Sequence, residues 1–202
     1  MNPVDREPVD DVALALQLTD AARPFHARRQ ATADRALCAR SPAAKVHWLR
    51  EEAALVAQVA APFSPCRAGC AHCCHQAVAV AQPEAEVIAR ETGATLRQPA
   101  PGRCNQDGES ATEFRQWEMA TYTGTPCVFL VENRCSIYAH RPVACRTHIS
   151  VERDAEPCRI ENGSPAGGVR YINVNDEQRL YVMTFADNLT LADIRDWFPQ
   201  GL

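Results

Sequence analysis

The sequence has no long apolar run, no excess of basic charge and no apolar leader. The longest apolar stretches among its 202 residues are far shorter than the roughly 20 residues that a membrane-spanning helix needs. The net charge of -4 comes from interspersed acidic and basic residues, which argues against a nucleic-acid surface. The first residues, MNPVDREPVDD, are acidic and lack the apolar region of a secretory signal. We therefore expect a cytoplasmic protein with no membrane and no nucleic-acid partner.

The sequence also lacks the short motifs of several large enzyme classes. It has no G-x-S-x-G nucleophile motif, no P-loop and no dinucleotide-binding glycine fingerprint. No Ser/His/Asp set can be recognised from the order of residues alone. These absences leave open whether the protein is an enzyme.

Cysteine, by contrast, is abundant, with ten in the chain. In a reducing cytosol such a content indicates metal binding or redox chemistry rather than a disulfide framework. Four of the ten fall in the stretch CRAGCAHCC, residues 66–74. Cys73 and Cys74 are neighbours, and short spacings such as that from Cys70 to Cys73 suit one shared ion better than separate bridges. We therefore predict a metal site.

The cysteines of interest form two groups, Cys66-x3-Cys70-x2-Cys73-Cys74 and Cys127-x7-Cys135-x9-Cys145. Clustered thiolates without a cation would repel one another and would be costly to desolvate. Seven thiols exceed the four ligands of one tetrahedral ion. The spacing is compatible with one site plus spare thiols, with two metals that share thiolates, or with a cluster.

Four segments, CRAGCAHCC, PCVFL, CSIY and RPVACR, resemble the motifs of the YkgJ-like cysteine-cluster family, a zinc- or iron-chelating CxxCxxCC domain. The resemblance spans about residues 63–148. It implies metal chelation without implying a particular reaction. The metal ligands that it implies are Cys66, Cys70, Cys73, Cys74, Cys127, Cys135 and Cys145.

The identity of the metal is weighed from the spacing of the cysteines. Zinc sites are often built from C-x2-C pairs, and only Cys70 and Cys73 have that spacing. Iron–sulfur clusters use thiolates at short spacing with a distant partner, so we favour iron or an iron–sulfur cluster slightly over Zn²⁺. The C-x3-C-x2-C spacing also occurs in radical S-adenosylmethionine enzymes. The mostly helical order of this sequence argues against their partial α/β barrel.

Other residues near the cysteines are candidates for supporting roles. Arg141 and Arg146, in RPVACR, are predicted to bind the cofactor, because an arginine beside bound thiolates offsets negative charge. An ion pair or a contact with a helix end is an equal alternative for both. His75, His148, Cys104 and Cys158 could each join the site, and the sequence leaves this open.

The predicted fold is mainly α, a compact helical domain with a small β-hairpin beside a cysteine-rich metal site. Helices are expected after Ser41 and Pro42, from Pro83 to Gly93, after a capping box at Ser110, and over 176–187 and 191–198. CVFL and CSIY are expected to pair as the hairpin. We divide the chain into an N-terminal helical segment (1–62), a metal-binding core (63–150) and a C-terminal segment of loop and helices (151–202), all within one domain.

Two functions fit these observations. The first is a metal-binding protein that chelates iron, including as an iron–sulfur cluster, or zinc. The second is a metalloenzyme, acting in redox chemistry or in the modification of another protein, that uses the same site. A closed coordination shell favours the first, and an open position facing a pocket favours the second. The expected partner is a metal ion, and a protein partner stays open.

Overall fold

The computed structural model describes residues 11–105, 111–161, 164–165 and 168–202, and the fold is mainly α-helical, as predicted. The helices are α1 (Asp11–Ala22), α2 (His26–Cys38), α3 (Pro42–Ala60), α4 (Gln82–Thr92), α5 (Ala111–Tyr122), α6 (Val143–Thr147), α7 (Asn175–Thr184) and α8 (Ile194–Trp197). The strands are β1 (Ala79–Ala81), β2 (Leu130–Val131), β3 (Arg134–Cys135), β4 (Ile160–Glu161), β5 (Ser164–Pro165) and β6 (Leu191–Asp193). No helix within these described ranges is both long and apolar enough to cross a membrane.

Helices α3 and α4 follow the local signals of the sequence. The Ser41 hydroxyl accepts the Ala44 N–H at 3.2 Å, which caps α3 as predicted. Helix α4 ends at Gly93, whose φ of 77° is left-handed and therefore suits glycine. The predicted cap at Ser110 lies outside the described residues, and α5 follows it directly.

The small hairpin is confirmed, and its turn uses no glycine. Strands β2 and β3 pair antiparallel, with Leu130 opposite Cys135. Glu132 and Asn133 link them with φ values of 48° and 58°. Two consecutive left-handed residues are the backbone signature of a tight hairpin turn that matches the twist of the strands. The turn therefore places Cys135 at a defined position beside the residues that follow Cys127.

The prediction of one continuous helix over 191–198 is wrong in its first half. Leu191–Asp193 forms β6, which pairs antiparallel with β1 in the register Ala79↔Asp193. Helix α8 begins only at Ile194, and Asp193 caps it, accepting the Arg195 N–H at 2.9 Å. Pairing with a distant strand here outweighs the local helical periodicity.

The cysteines of the second group lie against a hydrophobic core. Trp197, Phe198 and Phe129 are almost completely buried at its centre, and the Trp197 indole donates to the Val80 carbonyl at 2.9 Å. The partly buried side chains of Cys127, Cys135 and Cys145 pack against this cluster. A second cluster joins helices α2–α7 through residues that include Leu49, Phe114 and Phe185. Trp197 and Phe198 thus belong to the cluster against which the second cysteine group packs.

Substitution of Gly201 tests how closely the chain end packs against this segment. Gly201 has a φ of +67°, and a Cβ atom there would lie 2.6 Å from the Val128 carbonyl oxygen. Gly201→Ala should therefore lower the free energy of unfolding by about 2 kcal/mol, from backbone strain and the clash together. Urea unfolding measures the change. Gly168→Ala is the control, because no atom of the other described residues, its chain neighbours aside, lies within 4 Å of the Cβ position there. Equal stability of the two variants would contradict the observed packing.

Candidate metal centre

The first cysteine segment, residues 66–75, is folded by short-range turns. The Cys70 N–H donates to the Arg67 carbonyl at 3.1 Å, and Gly69 adopts a φ of 89° within that turn. The Cys74 N–H donates to the Ala71 carbonyl at 3.0 Å, at the 3-10 turn His72–His75. These tight turns hold the four cysteines within one compact loop.

A pair of backbone hydrogen bonds joins this loop to the second cysteine segment. The Cys127 N–H donates to the Cys74 carbonyl at 2.7 Å. The Gly124 N–H donates to the His75 carbonyl, also at 2.7 Å. Residues that are 53 and 49 positions apart in the sequence are therefore in direct contact at the point where both groups present thiols.

The thiols of the two groups lie close enough for their charges to affect one another. Burial is the main cause that raises the pKa of four thiols, and the charges of neighbouring thiols raise it further. These four are Cys70, Cys127, Cys135 and Cys145. Cys73 contributes to this effect at Cys70, Cys135 and Cys145, which puts it at the centre of the group. Cys66, which is exposed, acts on Cys70 in the same way.

Cys73 and Cys74 are unlike in spite of being neighbours. The hydrogen bond between their side chains lowers the pKa of the Cys73 thiol to about 7, and the charge of Arg141 acts in the same direction. The same hydrogen bond, together with burial, raises the pKa of the Cys74 thiol far above its ordinary value. Cys73 is thus the thiolate that accepts, and Cys74 is the thiol that donates.

The donor set fits a soft metal ion in its chemistry, although the side chains do not form a finished coordination shell. Within the described ranges, no three Cys, His, Asp or Glu side chains are arranged so that they could hold a metal ion as they stand. The raised pKa values mean that most of these thiols keep their protons. Metal binding replaces thiol protons, and thiolates suit iron and zinc alike. Loading therefore requires loss of protons and rotation of the cysteine side chains.

None of the ten cysteines, all of which lie in the described ranges, is in a disulfide. The sequence left open whether Cys158 joins the site. Its side chain is buried, and burial is the main cause that raises the pKa of its thiol. The charges of Cys66, Cys70 and Cys73 raise this pKa further, which shows that they lie nearby. Cys104 instead forms an isolated β-bridge with Ala192 and packs against the core. The structure thus brings Cys158 to the cysteine group.

The two arginines of RPVACR differ in their surroundings. The positive charge of Arg141 favours the thiolate forms of Cys73, Cys135 and Cys145. Its Cζ lies 4.3 Å from the centre of the Tyr138 ring. Arg146 donates to the carbonyl oxygens of Arg141, at 3.0 Å, and of Ala139. Arg141 therefore acts on the thiols by its charge. Arg146 instead holds the backbone that carries Arg141.

The two candidate histidines also differ. The His75 carbonyl takes part in the junction between the cysteine segments. His148 is mostly buried, and its ring lies 4.3 Å from the Tyr171 ring, between centroids. Burial, with a contribution from Arg115, lowers the pKa of His148 to about 4. Its Nε2 atom is buried and has no hydrogen-bond partner in the described part of the chain.

Arg195, which sequence reasoning missed, connects the flanks of both cysteine segments. Its guanidinium donates to the carbonyl oxygens of Gln76, Thr125 and Pro126 at 3.2, 2.6 and 3.2 Å. Gln76 follows the first segment directly, and Thr125 and Pro126 precede Cys127. No local pattern in the sequence distinguishes this arginine, because its partners are backbone groups of distant residues.

Asp193 completes this arrangement. Its Oδ1 accepts from Nη1 of Arg195 at 2.8 Å, and its Oδ2 accepts the Val78 N–H at 2.7 Å. Both side chains are buried: 7% of the Arg195 side chain and 0% of the Asp193 side chain are exposed. The pair therefore fixes the position of the second cysteine segment relative to the first.

A cavity of about 260 Å³ lies beside the cysteines, between β1 and helices α5, α6 and α7. Cys73 and Cys145 form part of its wall, together with His148 and Arg115. Two of the candidate metal ligands thus border this cavity.

Comparison with known proteins finds a match to a family model. Residues 65–162 match the family model "CxxCxxCC: Putative zinc- or iron-chelating domain". The match begins next to Cys66 and includes all seven cysteines of the two groups. We found no match to the chain among curated proteins or among solved structures.

Removal of the Arg195 charge tests its role in joining the two cysteine segments. Arg195→Met leaves Asp193 buried without its partner and three carbonyl groups without their donor, so we expect a loss of about 3–5 kcal/mol in the free energy of unfolding. Chemical denaturation measures the loss. Arg159→Met, which removes an exposed arginine paired with Glu161, is the matched control and should change stability by less than about 0.5 kcal/mol. A loss no larger than that of the control would refute this role.

The depressed pKa of His148 predicts a pH dependence of stability. The unfolded imidazole has a pKa of about 6.5, whereas the folded one has a pKa of about 4. Between these values the unfolded chain binds the extra proton, so the folded state loses stability as the pH falls from about 6.5 to about 4. His148→Phe should remove about 2 kcal/mol of this loss at pH 4.5. Denaturation of both proteins at pH 7.5 and 4.5 provides the comparison, and an identical loss in both would contradict the prediction.

Proposed function

We propose that this chain holds iron, in the form of an iron–sulfur cluster, through cysteines of both segments, because residues 65–162 match the model of a zinc- or iron-chelating domain. The observation that carries the proposal is the junction between Cys127 N–H and the Cys74 carbonyl, at 2.7 Å. This contact brings thiols from distant parts of the chain together at the edge of the core. The proposed ligands are drawn from Cys66, Cys70, Cys73, Cys74, Cys127, Cys135 and Cys145.

The number and the environment of the thiols support iron over zinc. One tetrahedral zinc ion takes four ligands, and the group holds seven thiols with Cys158 near three of them. Hydrogen bonds, charge and burial around the sulfurs set the potential of an iron–sulfur cluster, which supplies one-electron chemistry when bound. Arg141 would contribute a positive charge to that environment, and Arg146 would hold the backbone that carries it. Residues 63–150 would then form the metal-binding core of one domain.

The proposal is tested by elemental analysis after anaerobic purification. We expect iron together with acid-labile sulfide, and broad visible absorption from the cluster. Cys73→Ser and Cys145→Ser should each lose most of the iron, because both thiols lie at the centre of the group. Cys38→Ser is the matched control, since Cys38 is an exposed cysteine of α2, and it should keep the iron of the unmodified protein.

Two results would oppose this function. Zinc at one or two ions per chain, without iron or sulfide, would replace the iron–sulfur cluster by a zinc site. Full metal content in both Cys73→Ser and Cys145→Ser would show that the metal lies elsewhere. Circular dichroism of each variant separates loss of ligands from loss of the fold.

The cavity favours a second function, that of a metalloenzyme. Two of the proposed ligands, Cys73 and Cys145, line its wall. A small molecule in the cavity would lie beside the bound metal, as a substrate of a redox or modifying enzyme must. The proposed chelating function requires no such cavity. A small molecule that binds in the cavity would therefore favour the metalloenzyme over chelation alone.

A further inference from the structure

The cavity beside the cysteines has a largely apolar wall. Its volume is about 260 Å³, slightly below the range of roughly 300–1,000 Å³ that holds drug-sized ligands. Phe114, Val143 and Leu191 are buried side chains of this wall. Val182 of α7 lies at the rim, where 39% of it is exposed. The shape and the wall suit a short apolar body.

Most polar groups at the wall already have partners. The Tyr181 hydroxyl donates to Glu84 at 2.7 Å and accepts the Ala81 N–H at 2.8 Å. Glu177 forms an ion pair with Arg29. The buried Nε2 of His148 is different, because it has no partner among the described residues. A buried polar atom without a hydrogen bond is costly, and a ligand in the cavity could remove that cost.

Arg115 supplies the positive charge of the cavity wall. Its Nη1 donates to Oε2 of Glu118 at 2.6 Å, and 45% of its side chain is exposed. Burial raises the pKa of the Glu118 carboxyl to about 7. At neutral pH this carboxyl is therefore partly protonated and leaves part of the Arg115 charge without a counter-ion. The planar guanidinium has further N–H groups that match a carboxylate in geometry.

We propose that this cavity binds a small organic carboxylate, with its apolar body among Phe114, Val143 and Leu191 and its charged end at Arg115. The His148 Nε2 would bind a second polar group of the ligand, next to Cys73 and Cys145. This binding goes beyond metal chelation. It depends on the cavity wall and not on the metal, so each can be tested without the other.

Three probes with the same six-carbon body test the preference for a carboxylate. Hexanoate, hexan-1-ol and hexylamine are titrated into the purified protein, and ligand-observed NMR gives the dissociation constants. A charge-assisted hydrogen bond to Arg115 should make hexanoate bind about ten-fold more tightly than hexan-1-ol. Hexylamine, which is a cation at neutral pH, should bind most weakly. Equal affinity for hexanoate and hexan-1-ol, or no binding of either, would overturn the proposal.

Two variants locate the binding. Val182→Trp fills the rim and should weaken hexanoate and hexan-1-ol alike. The double variant Arg115→Gln/Glu118→Gln removes the charge without leaving a carboxylate buried alone. It should bring the affinity for hexanoate down to that for hexan-1-ol and leave the latter unchanged. Arg159→Gln, an exposed arginine that does not line the cavity, is the control and should keep the ten-fold preference.

The outcomes of this experiment are distinct from those of the metal analysis. Unchanged hexanoate binding in the double variant overturns the role of Arg115, whatever the metal content. Unchanged binding of both probes in a folded Val182→Trp protein places them elsewhere and overturns the site. Loss of iron in the cysteine variants bears only on chelation. If Val182→Trp fails to fold, the double variant alone decides.

Discussion

The buried pair of Asp193 and Arg195 is the interaction on which the arrangement of the cysteines depends. A buried ion pair is stabilising only when hydrogen bonds satisfy the remaining polar atoms. Here those bonds go to backbone groups of Gln76, Val78, Thr125 and Pro126. The residues in question flank both cysteine segments. The hydrogen bonds that offset the burial of two charges are thus the same ones that hold the two segments together.

The cysteines at this junction occupy an environment that is costly for a set of free thiolates. Burial and mutual repulsion raise the pKa of most of them, whereas the hydrogen bond with Cys74 and the charge of Arg141 lower the pKa of Cys73. A bound cation would remove the repulsion and take the place of the protons. The protein therefore provides a group of sulfurs whose mutual repulsion a metal would relieve, and one thiol, Cys73, that is partly ionised at neutral pH.

The cavity shares its wall with this group, which relates the two proposed activities. Its apolar side is formed by the second core cluster, through Phe114, Val143 and Leu191. Its polar side is formed by Arg115, His148 and two of the cysteines. A carboxylate bound there would place its second polar group, at His148, next to Cys73 and Cys145. Chelation alone does not require a cavity next to the metal ligands, whereas an enzyme that acts on a small acid would use one.

Features that depend on nearby residues could be predicted from the amino-acid sequence. The cap at Ser41, the stop at Gly93, the mainly helical fold and the short hairpin follow from side chains within a few positions of one another. The spacing of the cysteines and the four motifs likewise led to the matched family. Other features became evident only in the folded chain: residues 191–193 form a strand, and Arg195 joins the two cysteine segments. Cys158 approaches those segments, and a cavity lies beside Cys73 and Cys145. Each of these depends on contacts between residues far apart in the chain, and such contacts leave no periodicity in the local sequence.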